Sequence, residues 1–206
     1  MTMKNEQPDN RTKLLKQIRD EVWDFKESPL YEERVRNRAY PVIGEGSHHA
    51  KIMFIGEAPG RIEAATGRPF AGAAGKILDE LLASIGIPRA DVYITNVVKD
   101  RPPMNRDPLP EEIALYAPFL DRQIEIIQPR VIVLLGRHFM RAILAKFGLE
   151  AMIGPISRIH GTILDTRAPY GDITIMPVYH PAAALYNPEL KEALLVDFRH
   201  LKKLLE

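Results

Sequence analysis

A carboxylate set among glycines, an asparagine inside an apolar run and a histidine locked before proline are the residues of this chain whose types and spacing could do chemistry. The first lies in Gly56-Glu-Ala-Pro-Gly60, followed by Arg61, Glu63 and Gly67-Arg-Pro-Phe70. Glycines let a chain turn sharply and approach a ligand, and Pro59 stiffens the turn. The spacing matches neither the dinucleotide-binding glycine pattern nor a nucleotide loop ending in Gly-Lys-Ser/Thr. Glu57 is therefore either a ligand-facing carboxylate or a surface group on a structural loop. Asn96 interrupts Val92-Tyr-Ile-Thr-Asn-Val-Val98, where asparagine is disfavoured. Its carboxamide must be satisfied by a neighbouring loop or by a ligand presenting a donor beside an acceptor. The third is His180 in Tyr179-His-Pro181, where proline holds the preceding residue extended. His48, His49, His138, His160 and His200 read as surface or core residues without a chemical role.

These residues need a scaffold, and the periodicity supplies one. Helical spacing of apolar residues spans Thr12 to Phe25, about Ala73 to Ile85, Ile113 to Ile127, about His138 to Phe147, and about Pro188 to Leu201. Continuous apolar runs at Lys51–Gly56, Val92–Val98, Val131–Leu135, Thr162–Leu164 and Ile173–Tyr179 read as buried strands. Alternating strands and helices, with strands apolar throughout, predict an α/β protein: a three-layer α/β/α sandwich around a mainly parallel sheet of four to five strands. Residues 1–10 read as a flexible tail and 11–206 as a single domain. Ligands of such sheets bind at the carboxyl ends of strands. That rule selects the turns after Ile55, Val98, Leu135 and Tyr179.

Composition narrows the chemistry. With 28 Lys+Arg against 27 Asp+Glu, any phosphate-binding surface must be local. There are 0 cysteines, which excludes a disulfide framework, a thiol nucleophile, a thiolate zinc site and a cysteine-held iron–sulfur cluster. No cofactor and no metal site is expected. No apolar run is long enough to span a bilayer and Met1–Arg19 does not read as a signal peptide, so a cytoplasmic monomer without membrane contact is expected.

Taken in order, Gly56-Glu-Ala-Pro-Gly60, Thr66-Gly-Arg-Pro-Phe70, Tyr93-Ile-Thr-Asn-Val-Val-Lys99, Arg101-Pro-Pro103 with Asn105-Arg106, Leu135-Gly136 and Tyr179-His-Pro-Ala182 resemble the uracil-DNA glycosylase superfamily, closest to its family 4. The resemblance implies a monofunctional DNA-repair hydrolase that flips uracil out of DNA and leaves an abasic site. It implies that Phe70 stacks on the base beside Ala58, that Asn96 reads uracil, and that His180 donates to uracil O2. Glu57, with Glu63 as second choice, would support the cationic sugar. Lys99, Arg101 and Arg106 would contact DNA, and Leu185 would act as an apolar wedge. Tyr186 stands where many relatives have arginine nearby.

Family 4 members hold a 4Fe–4S cluster with four cysteines. Here Ser28, Asp100 and Tyr116 occupy three of those positions and the first falls near Phe25. Oxygen and aromatic side chains cannot replace four thiolates, so ordinary packing by Phe25 and Tyr116 is expected there. Two other classes fit the same residues. One is a uracil- or DNA-binding homologue that lost turnover with its cluster, and the other is a protein that binds mononucleotides.

Overall fold

The structure, a computed structural model, describes residues 9–205. Most of the expected tail over residues 1–10 lies outside the described residues. The first helices are α1 (Arg11–Trp23) and α2 (Tyr31–Arg36). Then come β1 (Glu45–Gly46), β2 (Ile52–Gly56), α3 (Arg61–Thr66), α4 (Ala73–Ser84) and β3 (Tyr93–Asn96). The second half runs α5 (Pro110–Ile127), β4 (Val131–Leu135), α6 (Met140–Lys146), α7 (Ile156–Ile159), β5 (Leu164–Ala168), β6 (Gly171–Val178) and α8 (Pro188–Lys203). Helix starts follow local chemistry. Pro110 opens α5 while the Glu112 carboxylate accepts from the Leu109 N–H at 2.8 Å, and the Asn187 side chain caps α8 by accepting from Glu189 N–H at 2.9 Å.

The sheet has the order β1-β3-β2-β4-β6-β5. Its centre, β3-β2-β4-β6, is parallel, and both edge strands are antiparallel. The continuous apolar character of the strands has a direct cause: alternate residues feed two cores. Met53 and Ile55 of β2 pack toward α1, α5 and α6, whereas Ile52 and Phe54 pack toward α4 and α8. The expected three-layer sandwich is what forms. No helix among the described residues is long and apolar enough to cross a membrane.

The sheet is larger than expected, with six strands rather than four to five. The additional edge, β1, is two residues long and lies in a polar stretch without apolar periodicity. Gly46 permits it, because a Cβ there would sit 1.9 Å from the Val92 carbonyl oxygen. At the other edge, β5 runs from Leu164 to Ala168 rather than over Thr162–Leu164. Its central residues face outward as an edge strand's do, so the apolar run understates its length. The run Val92–Val98 is strand only to Asn96; beyond it, the N–H groups of Val97 and Val98 bond Gly56 and Glu57 carbonyls at 3.0 Å each.

The positions aligned with the cluster cysteines do not fit an iron–sulfur cluster. Their side chains bond one another directly. The Tyr116 hydroxyl donates to Asp100 Oδ2 at 2.6 Å, and the Ser28 hydroxyl lies 2.8 Å from it. Arg34 Nη1 donates to both oxygens of Asp100 at 3.1 and 3.2 Å and to the Val22 carbonyl at 3.0 Å. Phe25 meets Tyr116 edge-on, with ring centroids 5.5 Å apart, and Phe119 at 5.1 Å. Burial pushes the Asp100 carboxyl up, while the Tyr116 hydroxyl and the Arg34 guanidinium pull it back toward carboxylate. Packing by Phe25 and Tyr116 is thus joined by a buried polar cluster that the sequence reading left out.

Candidate active site

The carboxyl ends of β2, β3, β4 and β6 open onto one cleft of about 840 Å³. Glu57, Ala58, Phe70, Asn96 and His180 all line it. Convergence is enforced at Gly56, which pairs in register with Asn96. A Cβ on Gly56 would lie 2.3 Å from Asn96 Oδ1 and 2.9 Å from the Phe70 ring, so only glycine lets these two side chains meet there. Phe70 has a left-handed backbone, φ 48°. Its loop is held by Glu63, whose Oε1 accepts from the N–H groups of Ala71 and Gly72 at 3.0 and 2.8 Å. Phe70 in turn contacts His180 in an offset stack, with ring centroids 5.7 Å apart.

Asn96 is 2% exposed; Thr95 and Lys99 bond its main-chain oxygen, and among the described residues no group bonds its carboxamide. The carboxamide is left to the cleft. His180 is fixed by Pro181 and by the Ala182 N–H, which donates to its Nδ1 at 3.1 Å. Burial pulls the His180 imidazole down to about 4, so near neutrality the ring is uncharged. A neutral imidazole that accepts at Nδ1 carries its proton on Nε2, which makes Nε2–H the free donor.

Glu57 contrasts with Glu63. Its Oε1 is buried without a hydrogen-bond partner, and burial pushes its carboxyl up, opposed by His138 and reinforced by Asp107. Atoms of Glu57, Asp107 and His138 lie within 4.8 Å of one another. Glu63 is tied to the Phe70 loop through its Oε1, whereas Glu57 Oε1 is buried with no partner, so Glu57 is the less constrained of the two carboxylates.

The rim departs from expectation at Lys99. This residue is 0% exposed, beneath the end of β3, and its Nζ bonds Asn96 O at 2.6 Å, Gln123 Oε1 at 2.6 Å and Thr95 Oγ1 at 2.9 Å. It has no surface to offer a phosphate and leaves the DNA-facing set. Val97 and Val98 before it are buried as well. Arg101 is partly buried, lies outside the cleft lining and bonds Asn105 Oδ1 at 2.6 Å. Arg106 lines the cleft with its guanidinium paired to the buried Glu112 at 2.6 Å. Leu185 stands at the cleft edge, 39% exposed, next to Tyr186 at 90%. Arg137, which the sequence reading did not name, and His138, read there as a residue without a chemical role, also line the cleft, with His138 beside Glu57 and Asp107. The turn after Leu135, chosen by the strand-end rule, was the pointer to them.

Comparison with known proteins identifies the family. The family model described as the uracil DNA glycosylase superfamily matches residues 43–202. A type-4 uracil-DNA glycosylase of Sulfurisphaera tokodaii is 46% identical over 191 residues, covering 92% of this chain and 84% of the relative. That of Archaeoglobus fulgidus is 49% identical over 163 residues, covering 79% and 81%. That of Thermotoga maritima is 40% identical over 198 residues, covering 95% and 97%. With its strand-end motifs gathered in one cleft and the family match spanning most of the fold, the chain belongs to the uracil DNA glycosylase superfamily.

Proposed function

We propose that this protein is a uracil-DNA glycosylase that extrudes uracil from DNA and hydrolyses its N-glycosidic bond. The observation that carries the reading is the meeting of Phe70, Asn96 and His180 in one cleft. Extrusion costs a few kcal/mol of stacking, and a base–aromatic contact returns about 1–3 kcal/mol. Phe70 supplies that contact. Asn96 accepts from uracil N3–H and donates to O4, and cytosine inverts both positions of that pattern. A buried amide facing the wrong edge discriminates by unpaired polar groups, which an apolar pocket cannot do.

As the bond from C1′ to N1 breaks, its electron pair goes to the base and negative charge gathers on O2. The Nε2–H of neutral His180 donates to that oxygen, a preorganised contact of the kind that contributes about 3 kcal/mol to a barrier. The sugar becomes cationic. The spare oxygen of Glu57 stabilises it and orients the water that adds to C1′, taking the water's proton. Leu185 enters the gap left by the base, and Arg106 faces the backbone. Leu185, Tyr186 and Arg106 at the cleft edge together favour a DNA substrate over a free nucleotide.

The test uses end-labelled oligonucleotides carrying one uracil, thymine or cytosine at the same position, followed by alkali and a denaturing gel. Strand scission confined to the uracil oligonucleotide is expected. Binding of that oligonucleotide without scission contradicts the enzymatic reading.

A further inference from the structure

The ammonium of Lys99 is buried among neutral oxygens only, at Asn96 O, Thr95 Oγ1 and Gln123 Oε1. The surrounding bonds fix what those oxygens can do. The Thr95 hydroxyl donates to the Ile43 carbonyl at 2.6 Å, so toward Lys99 it is an acceptor. The Gln123 Nε2 donates to the same carbonyl at 2.9 Å and to the Tyr93 hydroxyl at 3.2 Å, which turns Oε1 toward Lys99. All three partners are therefore acceptors. Three acceptors match the three N–H donors of an ammonium and exceed the two of a neutral amine.

We propose that Lys99 is a positioning residue for base recognition: its ammonium clamps the Asn96 carbonyl from beneath the sheet and so holds the carboxamide against the cleft. Asn96 is the last residue of β3; beyond it the Val97 and Val98 N–H groups bond the Gly56 and Glu57 carbonyls, while the Asn96 carbonyl accepts from Lys99. The clamp ties that strand end to α5 through Gln123 and to the Ile43 segment through Thr95. This role rests on the uracil-reading role of Asn96 proposed above.

Protonation of Lys99 is then coupled to recognition. Burial pulls its ammonium down to about 7, and the three acceptors oppose that pull. The groups facing it are the Thr95 and Tyr93 hydroxyls from β3, Gln123 from α5 and the Ile43 carbonyl. Tyr93 is pushed up by burial and stays neutral. The neighbouring Asp100 directs its carboxylate to Arg34 and Tyr116 instead.

Single-turnover rates on uracil and cytosine oligonucleotides, measured from acid to alkaline pH, provide the test. Lys99→Met keeps the volume and removes all three donors. It is expected to lower the uracil rate about 10–100-fold, the scale of a small misplacement, and to shrink the uracil-to-cytosine ratio. Gln123→Glu sets a carboxylate against the ammonium and is expected to move the alkaline limb of the rate profile upward by about 1–3 pH units. A folded Lys99→Met protein with the parental rate and ratio overturns the proposal. Should Lys99→Met fail to fold, an unmoved alkaline limb in Gln123→Glu overturns it. Asn96→Asp with full uracil selectivity defeats the functional reading itself. Lost selectivity there, with Lys99→Met unaffected, defeats this inference alone.

Discussion

The segment from Asn96 to Arg101 serves two polar regions that obey opposite rules. Asp100 enters a closed cluster in which Arg34, Tyr116 and Ser28 supply partners for one another. Four residues earlier, Asn96 turns its carboxamide into an open cleft, where Glu57 also keeps a buried oxygen without a partner. Buried polar groups are normally satisfied because leaving one bare costs about 1–3 kcal/mol. The closed cluster meets that requirement within the protein. The cleft does not, and the substrate is the natural source of the missing partners. The same comparison separates structure from chemistry: around Ser28, Asp100 and Tyr116 a cluster of side-chain oxygens and the Arg34 guanidinium ties α2 and α5 to the loop after β3.

The largest expected effect lies in the closed region. Asp100→Ala strands the Arg34 guanidinium, and removing one partner of a buried ion pair costs about 3–5 kcal/mol, measurable by denaturant unfolding. Tyr116→Phe removes the hydroxyl's bonds to Asp100 and Ser28 and should cost about 1–3 kcal/mol. In the cleft, the effect should fall on rate instead. His180→Ala is expected to slow uracil release about 10²–10³-fold with a stability change well below that of Asp100→Ala.

The acid response sharpens the contrast. The folded His180 value of about 4 lies below the ordinary 6.5, so the unfolded chain takes up its proton first. Stability from this residue is complete above about pH 6.5 and is lost as pH falls through about 4. His180→Phe should flatten that part of the stability profile. The smallest expected signal is iron: purified protein should carry no stoichiometric iron and no broad visible absorption, and finding either would break the assignment of the closed region.

Much of this was legible in the residues. Gly56, Asn96 and His180 stood out because each is costly or unusual where it sits, and the strand-end rule said they would meet. The alternating helices and strands showed as well, since two cores make the central strands apolar throughout. Edge strands were harder, because β1 has two residues and the outward positions of β5 are not apolar. Lys99 misled for a different reason. A lysine's type points to the surface, and only the buried acceptors from Thr95, Asn96 and Gln123, set by tertiary packing, make its interior position tolerable. The Arg34 link to Asp100 spans 66 residues and has no local signal at all.

The measurement that bears most directly on three strand ends clasping one extruded pyrimidine is the ratio of single-turnover rates on uracil and cytosine for the parent protein and Asn96→Asp. A large ratio in the parent that collapses in Asn96→Asp, through loss of uracil cleavage or gain of cytosine cleavage, is the predicted result. A ratio that survives the substitution intact would contradict the account.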